Sequence, residues 1–183
     1  MKKLFIISAA AIISAGAAHA QSSVSNADKH SQENPASKKE KKEEHKKHDV
    51  SSVSMMHFKE DFENAQHVSW QKEGAFDVAS FTKNGKPLSA YYDTQNKLVG
   101  TTSQASFSDI PARAQQIINS KYADYTKKEV ILFDDEEDNE TDMALYGQSF
   151  EDKDNYFIEL TKGSKTLILQ SDMEGNISFF KEW

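Results

Sequence analysis

The chain of 183 residues carries few side chains suited to covalent or acid–base chemistry. It has no cysteine, which removes disulfides, thiolate metal sites, cysteine nucleophiles and lipoprotein acylation together. All six histidines lie at or before His67, so the last 116 residues hold no imidazole. Neither G-x-S-x-G nor H-E-x-x-H occurs, and no cofactor motif is present. His45 and His48 stand one helical turn apart, with His30 upstream, and would suit weak transition-metal capture. No third ligand follows at metal-site spacing. A second polar cluster, DDEEDNETD, places seven carboxylates between Asp134 and Asp142. Read as a calcium loop it fails: the sixth position is Asn139 instead of glycine, and the twelfth is Leu145 instead of glutamate. A solvated hairpin loop is the expected form, with loose calcium binding as the alternative.

The distribution of charge excludes other chemistry. Residues 1–20, MKKLFIISAAAIISAGAAHA, combine a basic start, a short apolar run and an Ala-His-Ala site. These are the parts of a cleaved secretory leader, and the apolar run is too short to span a bilayer. The mature chain is expected to begin at Gln21, outside the cytoplasm (periplasmic or secreted), with no membrane insertion after cleavage. Residues 21–54 are rich in Lys, Glu, Ser and His and nearly devoid of aromatic side chains, the composition of a disordered linker. The leader carries +2 and residues 21–50 carry +1, so a whole-chain charge of −7 leaves −10 on residues 51–183. That acidic segment holds a single arginine, Arg113, which argues against a nucleic-acid surface.

The elements that would position these groups come from an internal repeat. DVASFTKNGKPLSAYYDTQNKLV (77–99) aligns without a gap on YFIELTKGSKTLILQSDMEGNIS (156–178), with five identities in 23 positions. They are Thr82 with Thr161, Lys83 with Lys162, Lys86 with Lys165, Leu88 with Leu167 and Asp93 with Asp172. Each copy reads as a three-stranded antiparallel meander whose second turn opens on the Asp, placed there to accept backbone amides. A helix precedes each meander: Met55 to Ala65 with Ser54 as cap, and Asp109 to Tyr122 with Asp109 as cap. One more strand follows each helix, at Val68–Trp70 and Val130–Phe133. The expected fold class is α+β. Two tandem units, about 55–104 and 105–183, would form one antiparallel sheet with helices on one face, in a domain spanning 55–183.

Alternation along the strands assigns the faces. Ala79, Phe81, Leu88, Ala90, Tyr156, Ile158, Leu160, Leu167 and Leu169 go under the helices. The opposite face then carries Val78, Tyr91, Phe157, Ile168 and Phe180. With helices on one side only, this second face is expected to lie open and to serve as the candidate partner-binding surface. On that reading Phe157→Asp and Tyr91→Asp would leave the fold largely intact.

FENAQHVSWQKEGAFDVASFTKNGKPLSAYYDTQNKLVG, SDIPARAQQIINSKYADYTKKEV and NYFIELTKGSKTLILQSDMEGNI together resemble the β-lactamase-inhibitor-like, PepSY-like family of secreted or periplasmic proteins from Bacteroidetes-type bacteria. The resemblance rests on the order and spacing of Ala65, Val68 and Trp70, the Ile110-Pro111 pair, and Asp172 with Gly175. In the first half Asn96 stands where Gly175 stands in the second, a residue that also tolerates left-handed turns. The resemblance implies a curved sheet whose open face grips a protein, and it transfers no inhibitory residue. The functional expectation is a non-catalytic, extracytoplasmic protein-binding module that inhibits or regulates an envelope enzyme, its partner and oligomeric state unidentified. The alternative is zinc, copper or calcium buffering by the His-rich tail and the acidic loop.

Overall fold

The computed structural model describes residues 49–183. The expected leader, most of the expected linker and its three histidines lie outside the described residues. Helix α1 is Ser52–Asp61 and helix α2 is Ala112–Lys121. Ten strands accompany them: β1 Gln66–Glu73, β2 Phe76–Lys83, β3 Lys86–Tyr92, β4 Leu98–Ala105, β5 Thr126–Asp135, β6 Met143–Leu145, β7 Gln148–Phe150, β8 Asn155–Lys162, β9 Lys165–Asp172 and β10 Ile177–Glu182. Eight form one antiparallel sheet in the order β1-β2-β3-β4-β5-β8-β9-β10, while β6 and β7 make a separate hairpin. The α+β class, the two helix-plus-meander units and the continuous sheet are as expected.

The two units match in their element bounds. A shift of 60 residues carries α1 onto α2 and the start of β1 onto that of β5, and a shift of 79 carries the starts of β2, β3 and β4 onto those of β8, β9 and β10. The second unit is therefore the longer by 19 residues, inserted between β5 and β8. Corresponding turns share their backbone geometry. Asn96 and Gly175 both adopt positive φ, 64° and 83°, the left-handed conformation that Asn and Gly reach at least cost. Each of these turns packs on its own helix: the Asn96 side chain lies 3.1 Å from Ser54 Oγ and its main-chain carbonyl accepts from His57 Nδ1 at 2.6 Å, while a Cβ on Gly175 would lie 3.0 Å from the Ala114 nitrogen.

Both helix starts differ from the expected ones. Ser51, not Ser54, caps α1, its Oγ accepting from the Val53 N–H at 3.1 Å. Ser54 sits inside the helix, fully buried, and donates to Asp77 Oδ2 at 2.7 Å. The same carboxylate accepts from the Ser51 N–H and from Lys72, so Ser51 and Ser54, at the end of the expected 21–54 linker, belong instead to the capped helix fixed on the sheet. Pro111 opens α2 without a side-chain cap, its fixed φ suiting the helix start. Asp109 instead accepts from the Ser106 N–H, closing the preceding turn.

The helices pack on one face of the sheet in two aromatic and aliphatic layers. Under α1, Phe58 meets Phe81 at 4.9 Å and Trp70 at 5.3 Å edge-on, and Phe62 at 5.2 Å with the rings tilted, over Ala79, Ala90 and Tyr92. Under α2, Ala114 and Ile118 cover Ile158, Leu160, Leu167 and Leu169. The face assignment from alternation holds for all nine residues placed there.

The other face departs from expectation. Val78, Tyr91, Phe157, Ile168 and Phe180 do lie on it, but all five are buried, between 0% and 7% exposed. The inserted hairpin β6–β7 covers Phe157, Ile168 and Phe180, and its edge packs beside Val78 and Tyr91. Met143 and Phe150 point down from it, and Phe150 packs against Phe133 at 5.1 Å, Phe157 at 4.8 Å and Phe180 at 6.0 Å. Tyr146 and Gly147 form its tip, both at positive φ (54° and 72°), the two-residue turn that matches strand twist. The side chains assigned to an open platform are thus a second core, and a buried aspartate at Phe157 or Tyr91 would be uncompensated. The expectation that those substitutions spare the fold is withdrawn.

Candidate functional site

The hairpin roofs only part of the helix-free face. Its floor is β5 and β8–β10, where Phe133, Phe157, Ile168 and Phe180 lie beneath Phe150 and Met143. Strands β1–β4 continue past its edge. Their register aligns Ser80 with Ser89, Ser89 with Thr102, and Val78 with Tyr91, so one row across the first unit is hydroxyl-bearing and the next is apolar. Between this surface and Leu145 at the hairpin edge runs a groove of about 300 Å³. Ser80 and Ser89 share a hydrogen bond at 3.2 Å on its floor, as do Tyr91 OH and Thr102 Oγ1. Gln71 and Gln104 are exposed on β1 and β4. Of the five residues assigned to the partner face, Val78 and Tyr91 line this groove, whereas Phe157, Ile168 and Phe180 sit under the roof.

Three devices hold the roof. The first is at the tip, where Lys181 of β10 donates to the Tyr146 carbonyl and stands 5.5 Å over the Trp183 ring, itself 5.8 Å from Tyr146. The second is Asp93. Its Oδ1 accepts the Gln95 and Lys97 amides at 2.7 and 3.0 Å, the expected turn role. Its Oδ2 faces Asn139 Nδ2 and Thr141 Oγ1 of the inserted loop, each at 3.3 Å. Asp172 keeps to its own turn, its Oδ1 accepting the Glu174 and Asn176 amides at 3.0 and 2.8 Å and its Oδ2 the Asn176 side-chain amide at 2.6 Å. The third device joins the two feet of the insertion. The Asp135 N–H donates to Asp154 Oδ1 at 2.8 Å, and Asp135 Oδ1 and Asp152 Oδ1 are buried without a donor among the described residues. Burial, then the hydrogen bond and charge of Asp152, then the charge of Asp154, push the Asp135 carboxyl up to about 7. A proton shared by the two carboxyls would satisfy both buried oxygens.

Groups with catalytic potential are engaged structurally. His57 donates to a main-chain carbonyl, His67 is exposed in a bulge at φ 55°, and Asp77 is locked by Ser54, Ser51 and Lys72. Burial raises the Asp77 carboxyl, but its hydrogen bonds from Lys72, Ser54 and Ser51 outweigh that and hold it below the usual range. Among the described residues no three His, Cys, Asp or Glu side chains converge as metal ligands, the acidic run included. No described helix is long and apolar enough to cross a membrane.

The hairpin was the element that sequence reasoning missed. Its signal was present: Met143-Ala144-Leu145 and Phe150 are apolar islands around a Gly-containing turn inside a run of acids. Alternation places Glu159 on this face together with Ser80 and Gln170, but neither its half-burial nor its neighbour Glu129 is legible in sequence, because a carboxylate in a strand looks like a solvated position until its neighbours are known.

No protein-family model matches the sequence, and no curated protein matches it. Solved structures do. A BLIP-like protein from Bacteroides fragilis is 15% identical, with a TM-score of 0.55 over 73% of this chain and 86% of its own. A DUF2874 family protein from Bacteroides uniformis is 14% identical, with a TM-score of 0.56 over 70% and 86%. A Bacteroides eggerthii protein named as periplasmic is 14% identical, with a TM-score of 0.57 over 74% and 88%. At these identities the likeness is one of fold: the chain has the BLIP-like architecture.

Proposed function

We propose that the chain is an extracytoplasmic, non-catalytic protein-binding module that inhibits or regulates an envelope enzyme, and that it binds through the first-unit half of the helix-free face. The observation carrying this reading is the division of that face. One half is consumed by the chain's own hairpin, and the other is left as a groove floored by Ser80, Ser89, Tyr91 and Thr102. A floor of hydroxyls and one aromatic ring, backed by a rigid sheet, gives oriented hydrogen bonds and contact area at small entropic cost. The secretory pattern of residues 1–20 and the periplasmic naming of a structural neighbour support the location.

The test uses the chain from Gln21 onward as bait in envelope extract, followed by mass spectrometry and calorimetry with the purified partner. Ser89→Trp, which fills the groove from a half-buried strand position on its floor and suits β structure, should retain native circular dichroism and lose the partner. Equal affinity in the folded variant would overturn the reading.

A further inference from the structure

The groove has one chemical asymmetry. Of the side chains lining it, the charged ones are Glu73 and Glu129, and no lysine or arginine lines it. Glu129, on β5, is half-buried beside Gln104, Ile131 and Leu145 at the end of the groove away from the Glu73 rim. Glu159, half-buried on β8, is its neighbour across the strand pair in which Val130 faces Ile158. Among the described residues neither carboxylate has a cation within ion-pair distance. Elsewhere the carboxylates Asp77, Asp124, Glu151 and Glu182 each hold a lysine. The contrast is energetic as well as geometric. Burial, then the charge of Glu159, raise the Glu129 carboxyl above its ordinary range, whereas the hydrogen bond from Lys162 lowers Asp124. Glu129 and Glu159 therefore repel each other in a partly dehydrated site, and an incoming cation would relieve that repulsion.

We propose that the groove receives a lysine or arginine side chain carried on a protruding segment of the partner protein, with its head against Glu129 and Glu159 and its aliphatic stem along Ile131, Leu145 and Tyr91. The charge of the floor selects this occupant over an acidic or purely apolar one. An acidic segment would add a third negative charge, and an apolar one would bury the carboxylates further without pairing them. The stem and the head of a long basic residue match an apolar wall that ends in carboxylates. The inference rests on the reading of this face as the binding surface and adds the chemistry of what it takes.

The experiment is a selection of displayed random dodecapeptides on the chain from Gln21 onward, repeated on E129Q/E159Q and on S89W, each verified as folded by circular dichroism. The expected result is enrichment of peptides with a fixed Lys or Arg. The synthesised peptides should lose about tenfold or more in affinity on E129Q/E159Q, lose binding on S89W, and weaken with added salt. Enriched peptides without a fixed basic residue, blocked by S89W but indifferent to E129Q/E159Q, would overturn this inference and leave the binding face standing. Peptides indifferent to S89W, or no enrichment at all, would overturn both. Enrichment that appears only after residues 21–48 are deleted would show that the chain's own lysine-rich segment is the occupant, which overturns the partner assignment.

Discussion

If the hairpin is a fixed roof and not a loop resting on the surface, Phe150 and Phe157 must be energetically coupled. Their rings meet at 4.8 Å with an interplanar angle of 61°, one from each side of the roof–floor contact, and they are 7% and 0% exposed. Truncation to alanine would cost about 3–5 kcal/mol at each position, enough together to consume much of a domain's stability. Leucine is the better probe. Each Phe→Leu change keeps most of the volume and should cost about 1–1.5 kcal/mol, or about 3–6 °C in melting temperature for a domain of this size. The edge-to-face pair itself is worth about 0.5–1.5 kcal/mol beyond its buried area. The double variant should therefore be more stable than the sum of the single losses predicts, by about that amount. The assay is urea unfolding followed by far-UV circular dichroism, with Phe81→Leu paired to Phe150→Leu as the control, since Phe81 lies under α1 on the other face. The control pair should be additive. A Phe150/Phe157 coupling within about 0.3 kcal/mol of zero would refute the roof and return the face to solvent.

Three other outcomes follow from the same geometry. Melting temperature should pass through a maximum between about pH 4 and pH 6. Asp135, raised to about 7 from an unfolded value of 3.8, contributes stability that is complete below 3.8 and is lost as pH rises through 7. Asp77 and Asp172, both held low, contribute stability present above 3.8 and lost as pH falls. A pH series on Asp135→Asn should flatten the alkaline limb and leave the acid limb, and an unchanged alkaline limb would refute the shared proton. Asp93→Ala should cost about 2–3 kcal/mol and Asp172→Ala about 1 kcal/mol, because Asp93 supports the inserted loop as well as its own turn; equal losses in denaturant titrations would deny that extra duty. Gly100→Ala should cost about 1–3 kcal/mol, because a Cβ there would stand 2.6 Å from the Asp134 carbonyl oxygen and 2.7 Å from the Phe133 ring; a neutral effect on urea midpoint would contradict that packing.

The repeat, the strand faces and the paired turns were readable because each follows from a local rule. Alternation of period 2 sorts Ile158 from Phe157, and Asp93 and Asp172 each open a turn whatever the rest of the chain does. Helix caps were less legible. Ser51 and Ser54 are both serines near a helix start, and the choice between them is made by Asp77, which holds Ser54 Oγ at 2.7 Å from a strand 23 residues away in sequence. The covered face was illegible for a further reason. Strand alternation says which side chains share a face, but not whether another segment lies on it. That segment belongs to an insertion in which Met143 and Phe150 follow a run of acids, Asp134 to Asp142, whose composition is that of a solvated loop.

On the proposed reading, the insertion also explains how two similar helix-plus-meander units would present one binding face. Two equivalent units would present two equivalent half-faces, and a partner could take either. In this chain the 19 extra residues of the second unit fold back over their own strands, where Phe150 meets Phe157 and Phe180. The first unit supplies Asp93 to anchor the returning loop, so the roof stops at Leu145 and the half-buried Ser80 and Ser89, with Thr102 beneath, line the groove beyond it. Roof and groove are therefore one construction, since the hairpin edge is a wall of the cleft it leaves. Loosening the roof at Asp93 or Lys181 should widen the groove and weaken binding without touching any groove floor residue. Lys181→Met, which keeps the stem but removes the donor to the Tyr146 carbonyl, is the cleanest such change. Calorimetry with a groove-binding peptide should show affinity falling while circular dichroism stays native, and unchanged affinity would separate the hairpin from the site.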